Sequence, residues 1–193
     1  GLIVGSGCVN GEVFDKGYGL QDADLMDLMN FYDYIEVQPV NCATHLIGED
    51  KKFHNVFEYN GYVSRLVKLA KKMGKLVVAT GDVHNLTPDD LIYRKVIVHQ
   101  KTNGRLHPLN HKDIEVPNMY FLTTNEMLEA FSFLGDELAK EIVITNTNII
   151  ADMVEHLQII RDKLYTPILE NSAEITKEMV YNKAHEIYGD PLP

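Results

Sequence analysis

The apolar run Leu76-Val77-Val78-Ala79 has the length of a buried strand, and an amphipathic helical stretch leads straight into it. From about Tyr62 to Met73, Val63, Leu66, Val67 and Ala70 recur at helical spacing, with Lys68, Lys71 and Lys72 off that stripe. Gly74 supplies a helix stop. The same order occurs upstream. A helical stretch over Leu20–Phe31 carries Leu25, Leu28 and Met29, and Tyr34-Ile35-Glu36-Val37 follows as a strand ended by Pro39. Strands separated by whole helices are too far apart for hairpins, so they pair in parallel through right-handed crossovers. This constraint excludes all-α and all-β folds and points to an α/β layer or part of a barrel.

The remaining elements extend the pattern and then change it. Leu2-Ile3-Val4 reads as a short strand closed by Gly5-Ser6-Gly7. Thr87-Pro88-Asp89-Asp90 combines an N-cap, a proline at the first helical position and acids over the positive helix end, which predicts a helix to about Val98. Met119–Leu122 is a last strand candidate. Beyond it, Thr123-Thr124-Asn125-Glu126 is a capping box opening a helix to Phe133. A longer helix is expected over Asp136–Val154, with Leu138, Ile142, Ile149 and Met153 inward. After a Tyr165-Thr166-Pro167 turn, a final helix covers about Thr176–Tyr188. The boundary drawn from this change of pattern lies near Pro117: residues 1–117 are α/β and 118–193 mostly helical.

Charge follows the same division. The chain has 193 residues and a net charge of −10, which argues against a dedicated nucleic-acid-binding module. Yet the first 116 residues hold 13 basic and 15 acidic side chains, and the rest hold 5 and 13. Within the first part, Arg94 to Lys112 carries Arg94, Lys95, Lys101, Arg105 and Lys112 with no acid. Such a run is either a solvated loop face or a phosphate-contacting stripe. No apolar run approaches the ~18–20 residues of a spanning helix, so no membrane association is expected. Cys8 and Cys42 are the only cysteines, too few for a disulfide framework, which predicts a reducing, cytoplasmic setting. The chain opens within an apolar strand and without a signal peptide, so it is expected to be a piece of something longer.

Residues able to carry chemistry fall at strand ends, where parallel α/β folds place their sites. Cys8 follows the first strand, Glu36 and Gln38 close the second, and Asp82 and His84 follow the third. At i, i+2 in an extended segment, Asp82 and His84 point to one face. A thiolate, a carboxylate and an imidazole from neighbouring strand ends suit a divalent metal: Zn²⁺ for the sulfur ligand, with Mn²⁺ or Fe as alternatives. Each also has a plain structural reading, as a small buried cysteine, a turn-capping Asp and a loop His. His45 and His54 lack a carboxylate at ligand spacing and read as surface histidines. Tyr18, Tyr32, Tyr34 and Tyr93 read as core and rim.

Taken in order, several runs resemble one family. Gly5-Ser6-Gly7-Cys8, Phe31 to Pro39 and Val78 to His84 resemble the PHP domain of the alpha subunit of bacterial DNA polymerase III, PolC type. Ile92-Tyr93-Arg94-Lys95, His107-Pro108-Leu109-Asn110, Thr123 to Gly135, Ala139 to Val143, Leu164-Tyr165-Thr166-Pro167 and Ile187 to Pro193 extend the resemblance along the chain. It implies a partial (β/α)₇ barrel of parallel strands followed by a helical segment. Residues 1–117 would be the C-terminal part of the PHP domain, and 118–193 a connector toward the polymerase palm. It also implies that Cys8, Asp82 and His84 match metal ligands, whereas Glu36 matches none. The family's early His-x-His pair, its proofreading acids and its Mg²⁺-binding palm aspartates are missing, so no catalytic residue is expected here.

The resemblance therefore implies a fragment of a replicative DNA polymerase, inactive alone. Its parent would transfer deoxynucleotides on a template, proofread 3′ to 5′, and partner DNA and replisome subunits. Arg94, Lys95, Lys101 and Arg105 are the candidate DNA contacts. The alternatives are a metal-dependent PHP phosphoesterase and a purely structural PHP scaffold. A truncated barrel exposes a sheet edge, so edge pairing between copies or a loose edge is expected at Leu2–Val4.

Overall fold

In the computed structural model, all residues are described except 102, 159, 161, 164–166 and 193. The turn expected at Tyr165-Thr166-Pro167 lies largely outside the described residues. The chain divides into two compact units, Gly1–Val154 and Glu155–Pro193. The change of pattern near Pro117 falls inside the first of them.

The first unit opens with a one-turn helix α1 (Glu12–Asp15) and α2 (Asp22–Asn30), which buries Leu25 and Met29. Strand β1 (Tyr34–Val37) follows, then the long helix α3 (Val56–Lys72) and strand β2 (Leu76–Ala79). The strands pair in parallel, with Tyr34 opposite Leu76 and Val37 opposite Ala79. This is the crossover that the strand–helix–strand order demands. Asn55 caps α3 by accepting from the Glu58 amide at 3.0 Å, and Gly74, at φ 70°, provides the left-handed exit. The α3 stripe of Tyr59, Tyr62, Val63, Leu66, Val67 and Ala70 is buried.

Among the described residues the sheet has two strands; the first strand candidate meets it by a single bridge, and the last one bridges a residue beyond β2. Gly5 pairs with Tyr34, and Tyr120 pairs with Asn85. Side chains replace much of the missing ladder. Asp33, Glu36 and Gln38 accept the amides of Val4, Gly7 and Val9 at 2.7, 3.0 and 2.9 Å, while Ser6 Oγ accepts the Glu36 amide at 2.8 Å. Gly5 is required here, because a Cβ at that position would lie 2.4 Å from both the Glu36 carboxylate and the Tyr34 ring. Leu2 is 91% exposed and Ile3 41%.

After β2, a capping box between Thr87 and Asp90 starts a 3₁₀ turn that runs into α4 (Leu91–His99). A second box, Thr123–Glu126, opens α5 (Thr124–Ala130). Helices α6 (Asp136–Lys140) and α7 (Asn146–Asp152) form one run through a π-turn at Glu141–Thr145. That wide turn shifts the inward face. Ile142 and Asn146 are buried, whereas Ile149 and Met153, expected inward on a regular helix, are exposed. Buried Asn146 donates to the Val77 carbonyl at 2.8 Å, bonding a carbonyl of a strand whose only ladder partner among the described residues is β1.

The second unit contains α8 (Ser172–Tyr188), which starts four residues earlier than its sequence pattern suggested. Ile175, Met179, Val180, Tyr181, Ile187 and Tyr188 are all exposed on it.

Candidate functional site

The C-terminal ends of β1 and β2 deliver the residues of interest. After β1, the chain turns through Gln38-Pro39-Val40-Asn41 to Cys42, which is buried. After β2, it runs through Thr80-Gly81 to Asp82 and His84. Between them lies a cavity of about 220 Å³, lined by Pro39, Asn41, Cys42, Asp82, Met119 and Met127 among others. Of the expected ligands, Asp82 lines this cavity, and Cys8 and His84 do not.

Asp82 and His84 are brought together. The His84 Nδ1 lies 3.5 Å from Asp82 Oδ1 and 2.7 Å from the Asp82 carbonyl. A carbonyl only accepts, so His84 Nδ1 is the donor in this contact. Cys8 is half-buried, its carbonyl accepting the Gly11 amide at 2.7 Å. Among the described residues, no three His, Cys, Asp or Glu side chains gather closely enough to hold a metal ion. The donor types suit a transition metal, but the described residues do not complete a centre.

Cys42 was not singled out by the sequence, although it too follows a strand end. Burial pushes its thiol up to about 11. Asp82 and Cys8 both lie within electrostatic reach of it, as does Arg94. Cys42 thus shares the cavity wall with Asp82. Glu36 faces inward along the sheet instead, accepting from Gly7 and from the Thr80 hydroxyl at 3.2 Å, which is a structural use of its carboxylate.

The two thiols should respond differently to alkylation. Only a thiolate attacks, and Cys42 is both buried and held neutral. At pH 8, iodoacetamide is expected to label Cys8 alone, with Cys42 reacting after denaturation. Rapid double labelling of the native chain, read by mass spectrometry, would contradict the burial of Cys42. The raised thiol also has a sign for stability. The unfolded chain ionises first, so the contribution is complete below about 9 and declines as pH rises toward 11.

The basic stretch is not one surface. Lys95, Lys101 and Arg105 are exposed, but Arg94 is 6% exposed and its Nη2 donates to the Met119 sulfur at 3.6 Å. Arg94 therefore leaves the expected DNA-contacting set. It lies on the inward side of α4 with Val98, a position that helical periodicity alone assigns to the core. His45 likewise departs from the surface reading. It is half-buried, and burial together with Arg94 and Lys51 pulls its pKa down. Tyr18 belongs to the aromatic core, while Tyr93 is exposed.

No protein-family model matches the chain. Proteins named DNA polymerase III PolC-type do match it, over its full length. The relative from Halalkalibacterium halodurans is 48% identical over 193 residues, and that from Bacillus subtilis is 44% identical over 193. The chain matches PolC-type DNA polymerase III from end to end. A relative from Streptococcus pneumoniae keeps 38% identity over 199 aligned residues. The chain spans about 13% of the length of the first two PolC-type relatives. Among the described residues, no helix is long and apolar enough to cross a membrane.

Proposed function

We propose that this chain serves as part of a PolC-type replicative DNA polymerase, whose whole polypeptide transfers deoxynucleotides to a primer 3′ end on a template and proofreads the product. The observation that carries this reading is identity of 38–48% along the entire chain to proteins of that name. Residues 1–117 form the C-terminal part of a PHP domain within a (β/α)₇ barrel, and 118–193 lead toward the palm, where Mg²⁺ supports nucleotidyl transfer. The partners are DNA and other replisome subunits, the setting is the cytoplasm, and Lys95, Lys101 and Arg105 are the exposed cations available to phosphate. The loose edge at Leu2–Val4 is a surface on which free copies of this piece would pair.

Within that barrel, Asp82 and His84 contribute to a PHP centre for Zn, Mn or Fe, together with Cys8 and with ligands supplied by other parts of the polypeptide. A bound ion there would supply a Lewis acid. The residues of this chain hold the Asp82–His84 pair in register, with His84 Nδ1 against the Asp82 carbonyl.

The test is a chimera. Replacing the matching segment of the Bacillus subtilis relative with this chain should leave primer extension within a few-fold of the unaltered protein, while the purified chain alone incorporates no nucleotide. Loss of extension by a folded chimera would sink the reading. So would incorporation by the isolated chain, free of host polymerase.

A further inference from the structure

Helix α4 carries apolar residues on two sides. Its inward side buries Val98 together with Arg94, whereas Ile92, Tyr93, Val96 and Ile97 are each more than half exposed. At about 100° per residue, those four side chains cover roughly 140° of the helix circumference. A surface helix needs a single apolar stripe, and one that is apolar on both sides is suited to lie between two layers. Ile92 and Val96, one turn apart, form with Lys95, His99 and Gln100 an open groove of about 430 Å³. The charge around it has one sign. From Leu91 to Lys112 the sequence has no acidic residue, and Lys95 and Lys101 are exposed. A contiguous exposed apolar patch with a polar rim marks an interaction surface.

We propose that this outward face of α4 docks an acidic amphipathic helix of a separate protein chain. The groove is lined by side chains of one helix, whose backbone bonds are internal, so an extended peptide finds no sheet edge to add to. A helix laid along it meets Ile92 and Val96 with apolar residues at i, i+3 or i+4 spacing. The length of α4, about 13 Å, matches about two and a half turns of such a partner. Acids flanking the partner's stripe meet Lys95 with no acid on α4 to repel them, and a basic helix is turned away. Nucleic acid fits less well. Its phosphates would engage Lys95 and leave Ile92 and Val96, which offer no ring for a base to stack on, uncovered. An apolar centre within a charged rim is also the anatomy of an interface between chains. The face is read from α4 alone and holds whether or not the chain works within a polymerase.

The test titrates the full chain into a fluorescein-labelled synthetic helix of about 14 residues, with leucines along one stripe and glutamates flanking it, read by anisotropy. Binding should saturate, and the same peptide with lysines for glutamates should bind at least about tenfold more weakly. Ile92→Gln with Val96→Gln keeps every charge and should weaken the acidic peptide about tenfold. Lys95→Glu, at an exposed position, should weaken it about fivefold. Phe57→Gln, an equally exposed apolar position on α3, should change nothing. Equal affinity for the two peptides, no saturation, or full affinity in the Ile92/Val96 variant would overturn the proposal. So would self-association of the free chain that the same variant abolishes, which gives the face to a second copy. Tighter binding of a single-stranded oligonucleotide, lost in Lys95→Glu, would give it to nucleic acid instead.

Discussion

Phe53→Ala is expected to lower the stability of the Gly1–Val154 unit by about 3–5 kcal/mol, the usual cost of deleting a buried aromatic ring. Phe53 is fully buried and lies at the centre of an aromatic cluster. Its ring centroid is 4.8 Å from Tyr18, 5.3 Å from Tyr59, and 6.0 Å from both Phe14 and Tyr62. Edge-on pairs of this kind add roughly 0.5–1.5 kcal/mol beyond their buried area. Tyr59 and Tyr62 also anchor the backbone through their hydroxyls, which donate to Gln38 and Val13. The cavity therefore opens where α1, α3 and the segment after β1 meet. Against a typical total of about 5–15 kcal/mol, the loss is large. Urea unfolding followed by far-UV circular dichroism should show a lower midpoint with an unchanged slope. Phe57→Ala, at an 87% exposed position four residues away, should stay within about 0.5 kcal/mol of the parent. Equal midpoints for the two variants would mean that the aromatic cluster is not the core.

The parallel crossover was legible because two strong local signals agreed. The α3 stripe and the run Leu76–Ala79 have different periods, and each admits one structure. Helix starts marked by Thr87 and Thr123 were legible for the same reason, since a capping box is a local interaction. What the sequence did not disclose was non-local. The π-turn at Glu141–Thr145 rotates Ile149 and Met153 outward, and no pattern of apolar residues announces it. Leu2–Val4 looked like a strand, but among the described residues Val4 pairs only with Asp33, through its side chain and its backbone amide, and the residues that follow are held by the side chains of Glu36 and Gln38, which no propensity encodes. In the site, the Asp82–His84 pair follows from strand alternation. Cys42 does not, because an irregular turn of four residues after Gln38 carries it back against Asp82. Arg94 was grouped with Lys95 by charge, although the helix turns neighbouring residues about 100° apart and buries one while exposing the other.

Gln38→Leu is expected to cost about 1–3 kcal/mol and to free the segment that carries Cys8. Gln38 is 4% exposed, and its side-chain oxygen is the acceptor for the Val9 amide at 2.9 Å. Leucine keeps a similar volume but offers no acceptor, so the Val9 N–H is left buried and unpaired, the costly side of the hydrogen-bond asymmetry. The neighbouring Glu36–Gly7 contact remains, so the loss is local and does not dissolve the sheet. Two readouts should move together. The Val9 amide should exchange with solvent faster by a factor of about 5–150, the equivalent of that energy if opening is local. Cys8, one residue away, should alkylate faster at fixed pH while Cys42 stays protected. Gln38→Glu keeps the acceptor and should restore slow exchange at pH values where the carboxylate is ionised. An unchanged Val9 exchange rate in Gln38→Leu would show that the amide finds another partner. The side-chain ladder beside β1 would then not be what holds Cys8 at the strand end.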